Sequence, residues 1–409
     1  MPPRFIIVDY IRVDQYLVLI SLALRSLSPL TDFPTAENDI VILKSSVNDR
    51  AEPILTKPLK SGNYVSYKKL KQIIKHDAII GKYVRDYVRA TNGVDYRIYR
   101  PTIGEYTDNT PRLVTPIYSQ DANLIVSLLD LHPELPGSQT DKLEIFEAGT
   151  GHGALTLFLA RAIHAANTLP PDIPSDILSQ SPAQSCVKEK YDEWRAQRRA
   201  IIYSLDNQEK HTRHAAANIK RYRGGIYFPH IDFHTGLIED VIPEKLALNS
   251  NAPFLQHSIL DLPSPQNYMK LMAEAVRENG LLLVFVPSVT QITKASLLAI
   301  NDGLPWVLEN VLELGGMIGT GGREWDVRPV QPRAFQRAAL VEETSSTDDL
   351  NVVEPVTDSE TLSDDHSMTE LKGWEMVCRP KVGVRITNGG FIGVWRKTCK
   401  AHRNEQCYV

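Results

Sequence analysis

Gly149, Gly151 and Gly153 sit at alternate positions behind Glu147 in the run IFEAGTGHGALTLFLARAIHAAN, residues 145–167. Glycine permits a sharp backbone turn and lets a ligand come close to the main chain. An apolar run precedes the turn and helically spaced Leu and Ala follow it, so the stretch reads as strand, turn, helix. The spacing E-A-G-T-G-H-G is not G-x-G-x-x-G, and no Gly-Lys-Ser/Thr follows. The dinucleotide fingerprint and the nucleotide-phosphate loop therefore both fail. A second acid, Asp206, closes the next apolar run, RAIIYSLD. A carboxylate at that strand end can accept both hydroxyls of a ribose. The competing reading, a tight β–α turn with no ligand, is weakened by Asp206.

A third acid, Asp261, ends the run QHSILD and is followed by Leu262, Pro263, Ser264 and Pro265. Ligands of open parallel sheets bind outside the carboxyl ends of the strands. A carboxylate there can hydrogen-bond an exocyclic amine and stabilise a cation developing on a ring nitrogen. A turn acid or helix N-cap is the alternative. Weaker candidates are His234 with Gly236 at a third strand end, and the basic group Lys68, Lys69, Lys71 and Lys75. The first is equally a plain turn, the second equally a solvated helix face. The glycine-rich run from Gly315 to Trp325 follows no convincing strand and reads as a loop.

These residues need a scaffold, and the pattern supplies one. Strand-like and helical runs alternate from residue 142 to 288: KLEIFEAG, ALTLFLARAIHAAN, RAIIYSLD, NQEKHTRHAAANIKRY, YFPHIDFHTG, FLQHSILDLP, YMKLMAEAVRENG, LLLVFVPS. Such alternation predicts an α/β doubly wound, Rossmann-like parallel sheet. Residues 37–110 instead hold short apolar runs broken by Pro, Gly and Asn, which predict a small β-barrel-like or curled-sheet domain. The boundaries follow: an N-terminal extension over 1–36, the small domain over 37–110, and the main domain over 111–338. A Pro- and Ser-rich insertion spans 168–195 and an acidic one 339–372, both read as disordered. Over 373–409, two strand-like runs joined by TNGG predict a hairpin that completes the sheet.

The chain has 409 residues and a formal charge of −4, with 45 Lys and Arg against 49 Asp and Glu. Residues 341–370 hold ten acids and no Lys or Arg, so the remainder carries +6. A mildly basic body permits a polyanionic partner without requiring one. The four cysteines show no metal-ligand spacing and read as reduced intracellular thiols or as buried small hydrophobes. No apolar run reaches the ~18 residues of a membrane span. The N-terminus is amphipathic with Arg4, Arg12 and Arg25, but Asp9 and Asp14 argue against a transit peptide.

The acidic, glycine-alternating turn resembles that of class I S-adenosylmethionine methyltransferases. More of the chain resembles the catalytic subunit of the tRNA (adenine-58-N1)-methyltransferases, over residues 60–335 and again over 373–397. The matching pieces are IIKHDAIIG, YRPTIGEY, PRLVTPIYSQDANLI, FEAGTGHGALT, YSLD, LDLPSPQNY and VFVPSVTQI. The resemblance implies that Glu147, Gly149, Thr150, Gly151, His152, Gly153, Asp206 and Thr115 hold S-adenosyl-L-methionine. It further implies that Asp261 is catalytic beside the target adenine, and that Tyr118, Pro263 and Gln291 border the substrate, with no metal. Thr115 replaces the glutamine usual in the family, and Gln266 a frequent Trp. Within the turn, His152 is expected to face solvent or the cofactor's carboxylate. The implied partners are tRNA and either three further copies, as a homotetramer, or a non-catalytic tRNA-binding paralogue in a heterotetramer. The departures and insertions point to a divergent eukaryotic branch, mitochondrial in preference to nuclear. Two other readings stay open: a methyltransferase-fold RNA-binding or assembly subunit with little activity, and a methyltransferase acting on protein or a small molecule.

Overall fold

Two units divide the chain, one ending at Lys245 and the other beginning at Leu246. The computed structural model describes residues 34–47, 52–67, 72–115, 117–138, 140–171, 185–314, 323–330, 375–380 and 390–399. The N-terminal extension up to 33, the acidic insertion, Lys68, Lys69 and Lys71, and the TNGG turn before Gly390 lie outside them.

The first unit opens with short strands β1 (Ile42–Ser45), β2 (Ile54–Leu55), β3 (Tyr64–Tyr67), β4 (Gln72–Lys75), β5 (Tyr87–Arg89) and β6 (Asp95–Tyr99). Four form an antiparallel sheet in the order β2-β1-β6-β5, while β3 and β4 pair only with each other. Val41, Leu43, Ile54, Leu59, Ile74, Ile79 and Ile98 pack into one core between them. The predicted small β-rich domain is thus present, as two sheets around a shared core.

Helix α1 (Ile103–Asn109) follows directly. Thr102 caps it reciprocally with Glu105, a capping box that satisfies two otherwise orphaned N–H groups. Glu105 also meets Lys44 of β1 at 2.6 Å, tying the helix to the small sheet. Helix α2 (Ser119–Leu129) buries Ala122, Ile125 and Leu129, the stripe its spacing predicts.

Strand β7 (Leu143–Ala148), helix α3 (Ala154–Ile163), helix α4 (Ser185–Ala196), strand β8 (Ala200–Asp206), helix α5 (Glu209–Arg221), strand β9 (Ile231–Thr235) and helix α6 (Ile238–Leu248) complete the alternation. β7, β8 and β9 are parallel, and every residue of β8 is buried. Burial on both faces is why β8 reads as a nearly unbroken apolar run. While residues 172–184 of the 168–195 insertion lie outside the described residues, helix α4 replaces the expected disorder over 185–195. Its Tyr191 and Trp194, three residues apart, are 4% and 8% exposed and stack on each other.

The second unit has strand β10 (Leu255–Asp261), helix α7 (Met269–Ala275), strand β11 (Val276–Val286), helix α8 (Val289–Asn301) and strands β12 (Trp306–Glu313), β13 (Arg323–Val330), β14 (Glu375–Pro380) and β15 (Phe391–Lys397). β10 and β11 are parallel; β11, β15, β12, β13 and β14 then follow side by side, each antiparallel to the last. The returning strand β15 slots between β11 and β12, with Trp395 1% exposed. Two sequence expectations change here. The glycine-rich run does follow a strand, since it links β12 to β13. The described strands β14 and β15 are not neighbours, and the expected hairpin around TNGG falls on residues 381–389, which lie outside the described residues.

Candidate functional site

Strand β7 ends where the glycine turn begins, and parallel pairing sets Glu147 opposite Ser204 of β8. Glu147 is 1% exposed, and its Oε2 accepts hydrogen bonds from the hydroxyls of Thr156 (2.6 Å) and Ser204 (2.8 Å). A buried carboxylate requires such donors. Glu147 thereby fastens the strand end to α3 and β8. Thr150 also turns inward, its hydroxyl 2.7 Å from that of Ser204.

Gly149, Gly151 and Gly153 have φ of 99°, 56° and 83°. These left-handed values suit glycine and place the turn where its spacing predicted it. The backbone is held from β8: the N–H groups of Gly149 and Thr150 donate to Leu205 O, and Gly151 N–H donates to Asp206 Oδ2 at 3.0 Å. Asp206 Oδ1 accepts from Gln208 N–H at 2.9 Å and from His211 Nδ1 at 3.1 Å.

This geometry fits the adenosyl cofactor that the sequence pattern implies. The turn presents backbone with no side chain at alternate positions. Asp206 Oδ2 carries one donor, and a carboxylate oxygen can accept about two. Asp206 and the turn would hold the ribose and methionine end respectively.

His152 corrects its expectation. The residue is 4% exposed, so it does not face solvent. Its Nε2 lies 3.2 Å from the carbonyl of Thr107 in α1, so Nε2 carries the hydrogen and donates it. Burial, first among the causes, holds its pKa below the ordinary value. Sequence reasoning also missed Val114, whose Cγ2 lies 3.2 Å from where a Cβ on Gly151 would stand. Thr115, beside it, is exposed. Tyr118 is 47% exposed, and its hydroxyl accepts from Arg112 at 3.1 Å.

The remaining predicted residues belong to the second unit. Asp261 ends β10, opposite Phe285 of β11, and is partly exposed. It does not cap a helix: Ser264, with a left-handed backbone, holds the N-cap position of the next turn, and Pro263 is exposed. Gln291 closes a capping box at the start of α8, its Oε1 accepting from Ser288 N–H at 3.3 Å. That contact accounts for Gln291 structurally. His234, at the end of β9, is partly buried, and its pKa falls to about 4 through burial and then the nearby Lys245 charge. Among the described residues no cluster of His, Cys, Asp or Glu can hold a metal, and no helix is long and apolar enough to cross a membrane.

No protein-family model matches the chain. A curated relative, the tRNA (adenine(58)-N(1))-methyltransferase TrmI of Thermus thermophilus, is 28% identical over 293 residues, covering 70% of this chain and 92% of its own. Among solved structures, a SAM-dependent O-methyltransferase from Thermotoga maritima superposes with a TM-score of 0.52 at 15% identity, covering 92% of this chain and 97% of its own. The tRNA (m1A58) methyltransferase TrmI of Aquifex aeolicus gives 0.49 at 16% identity, with 90% and 100% covered. The chain therefore has the Rossmann-like fold of S-adenosylmethionine-dependent methyltransferases and is similar, over 70% of its length, to a tRNA (adenine(58)-N(1))-methyltransferase.

Proposed function

We propose that the protein transfers a methyl group from S-adenosylmethionine to N1 of adenine 58 in tRNA. The observation that carries this reading is the glycine turn clamped by Asp206 at the adjoining strand end, in a chain similar over 70% of its length to a curated enzyme of that activity.

The cofactor supplies an activated sulfonium methyl; the rest falls to the chain. Adenine N1 is an unprotonated nucleophile near neutral pH, so no base need remove a proton before attack. The positive charge that the ring gains needs an anion, and Asp261 at the end of β10 supplies it. The exocyclic amine gives that carboxylate a donor. The turn and Asp206 act by alignment, which converts an encounter into an in-line transfer. Extruding the base from the folded tRNA costs a few kcal/mol, which contacts to the RNA must supply.

The finer points are inferences of the same kind. The resemblance favours a tetramer, of this chain alone or with a tRNA-binding paralogue, and a mitochondrial in preference to a nuclear tRNA pool. Light scattering of purified protein that reports an active monomer would remove the assembly claim.

Labelled cofactor, total tRNA and mapping of the modified nucleotide test the main reading. The expected outcome is incorporation at adenine N1 of position 58. Asp261→Ala lowers turnover by about 10²-fold or more, as loss of charge stabilisation does elsewhere. It leaves cofactor affinity nearly unchanged, and Asp261→Asn falls between. Wild-type turnover in Asp261→Ala would move the acceptor site elsewhere.

A further inference from the structure

The open side of the glycine turn belongs to the cofactor reading; its back is held by contacts which that reading does not use. His152, mid-turn, is buried and donates from Nε2 to the Thr107 carbonyl of α1. The His152 carbonyl accepts from Asn218 Nδ2 of α5 at 3.1 Å. The Asn218 carbonyl in turn accepts from the Tyr106 hydroxyl of α1 at 2.7 Å. His152, Asn218 and Tyr106 are each 4% exposed or less. Two of these bonds enter the turn at one residue, and the third closes the loop between α1 and α5.

We propose that His152 and Asn218 are positioning residues that lock the cofactor turn to α1, the helix that follows the small β domain. This rests on the cofactor reading above.

An open pocket of about 300 Å³, lined in part by Tyr106, Thr110, Asn218 and Arg221, adjoins the clamp. Hydrogen bonds are directional, so the clamp adds to packing a constraint on where the turn sits. The turn must be right to within a fraction of an ångström, because Gly151 N–H and Asp206 Oδ2 meet on its other side. The clamp also continues outward: α1 carries Glu105, which is paired with Lys44 in β1 of the small domain. The sequence of contacts from β1 to the turn is continuous.

The test separates the hydrogen bond from the bulk of the ring. His152→Phe keeps an aromatic ring and removes the donor; His152→Gln keeps a donor on a side chain of similar reach. Calorimetric titration with S-adenosylmethionine, without tRNA, is expected to show affinity falling about tenfold in His152→Phe, as for one buried hydrogen bond. His152→Gln should recover most of it, with thermal melting as the check that both are folded. Equal affinity in wild type and His152→Phe overturns the proposal, and so does an equal loss in both variants, since bulk would then be the cause. Where His152→Phe does not fold, Asn218→Asp removes the donor to the His152 carbonyl at constant size, and unchanged affinity there is equally fatal. A wild-type protein that binds no cofactor overturns the functional reading itself, and the clamp's role with it.

Discussion

The two ends of strand β8 are both polar and buried, yet they are organised differently. At the carboxyl end, Asp206 accepts from backbone N–H groups, and what it holds is a turn made of glycine. At the amino end, side chains mostly satisfy one another and the strand start. Asn167 Oδ1 accepts the N–H groups of Arg199 and Ala200, which leaves its Nδ2 to donate to Ala200 O and to His230 Nδ1. His230 then donates from Nε2 to His164 Nδ1 at 2.7 Å. Arg198 grips Asp232 with Nη2 and the Pro229 carbonyl with Nη1. Burial pushes the Asp232 carboxyl up, but the Arg198 and Arg195 guanidiniums outweigh it and hold it below the usual range. Buried polarity alone therefore does not mark a ligand site. A ligand end has polar groups directed at exposed-backbone geometry; a structural end has them directed at one another.

The largest expected effect lies at the structural end. Asp232→Ala leaves the Arg198 guanidinium, 3% exposed, buried without its carboxylate. Breaking such a pair costs about 3–5 kcal/mol, which denaturant unfolding will read. Cofactor affinity of the folded protein should not change, and a parallel loss would erase the distinction between the two ends. Asp206→Ala should do the reverse, weakening cofactor binding by ~1–3 kcal/mol through lost charged hydrogen bonds, with a smaller effect on unfolding than Asp232→Ala. Calorimetry on the two variants side by side is the sharpest form of the comparison.

The smallest effect is one of pH. Burial, then the His164 and Arg198 charges, lowers His230 from 6.5 to about 3. The unfolded chain then binds a proton that the native one refuses, so stability is full above pH 6.5 and falls as pH drops towards 3. Between pH 6.5 and 5.5 the loss is about 1 kcal/mol for this one group. A flatter profile in His230→Gln is the expected outcome. A slope unchanged by that substitution would assign the acid sensitivity to other groups.

The glycine turn and its partner acid were legible in sequence because their signals are local. Glu147, the glycines and the start of α3 lie within ten residues, and Asp206 follows at the next strand end. The structural end was not legible, since Asn167, Arg198, His230 and Asp232 come from segments joined only by the fold. His152 was misread for the same reason: the carbonyl that takes its hydrogen is 45 residues away. Helix α4 was hidden by the Pro and Ser before it, although Tyr191 and Trp194 three residues apart carried the helical signal. Most of strand β12 pairs with β15, about eighty residues later, which no local signal announces.

Gly153 sets a limit that reaches beyond its own position. A Cβ there would stand 3.1 Å from Cβ of Ala215 and 3.1 Å from Cδ1 of Ile219, both on α5. The contact is reciprocal, so Ala215 has no more freedom to grow than Gly153 has. The third glycine of the turn and the small side chain at position 215 are therefore sterically coupled. A larger residue at 215 is expected only in relatives whose α5 has moved outward, and with it Asn218 and the back of the turn.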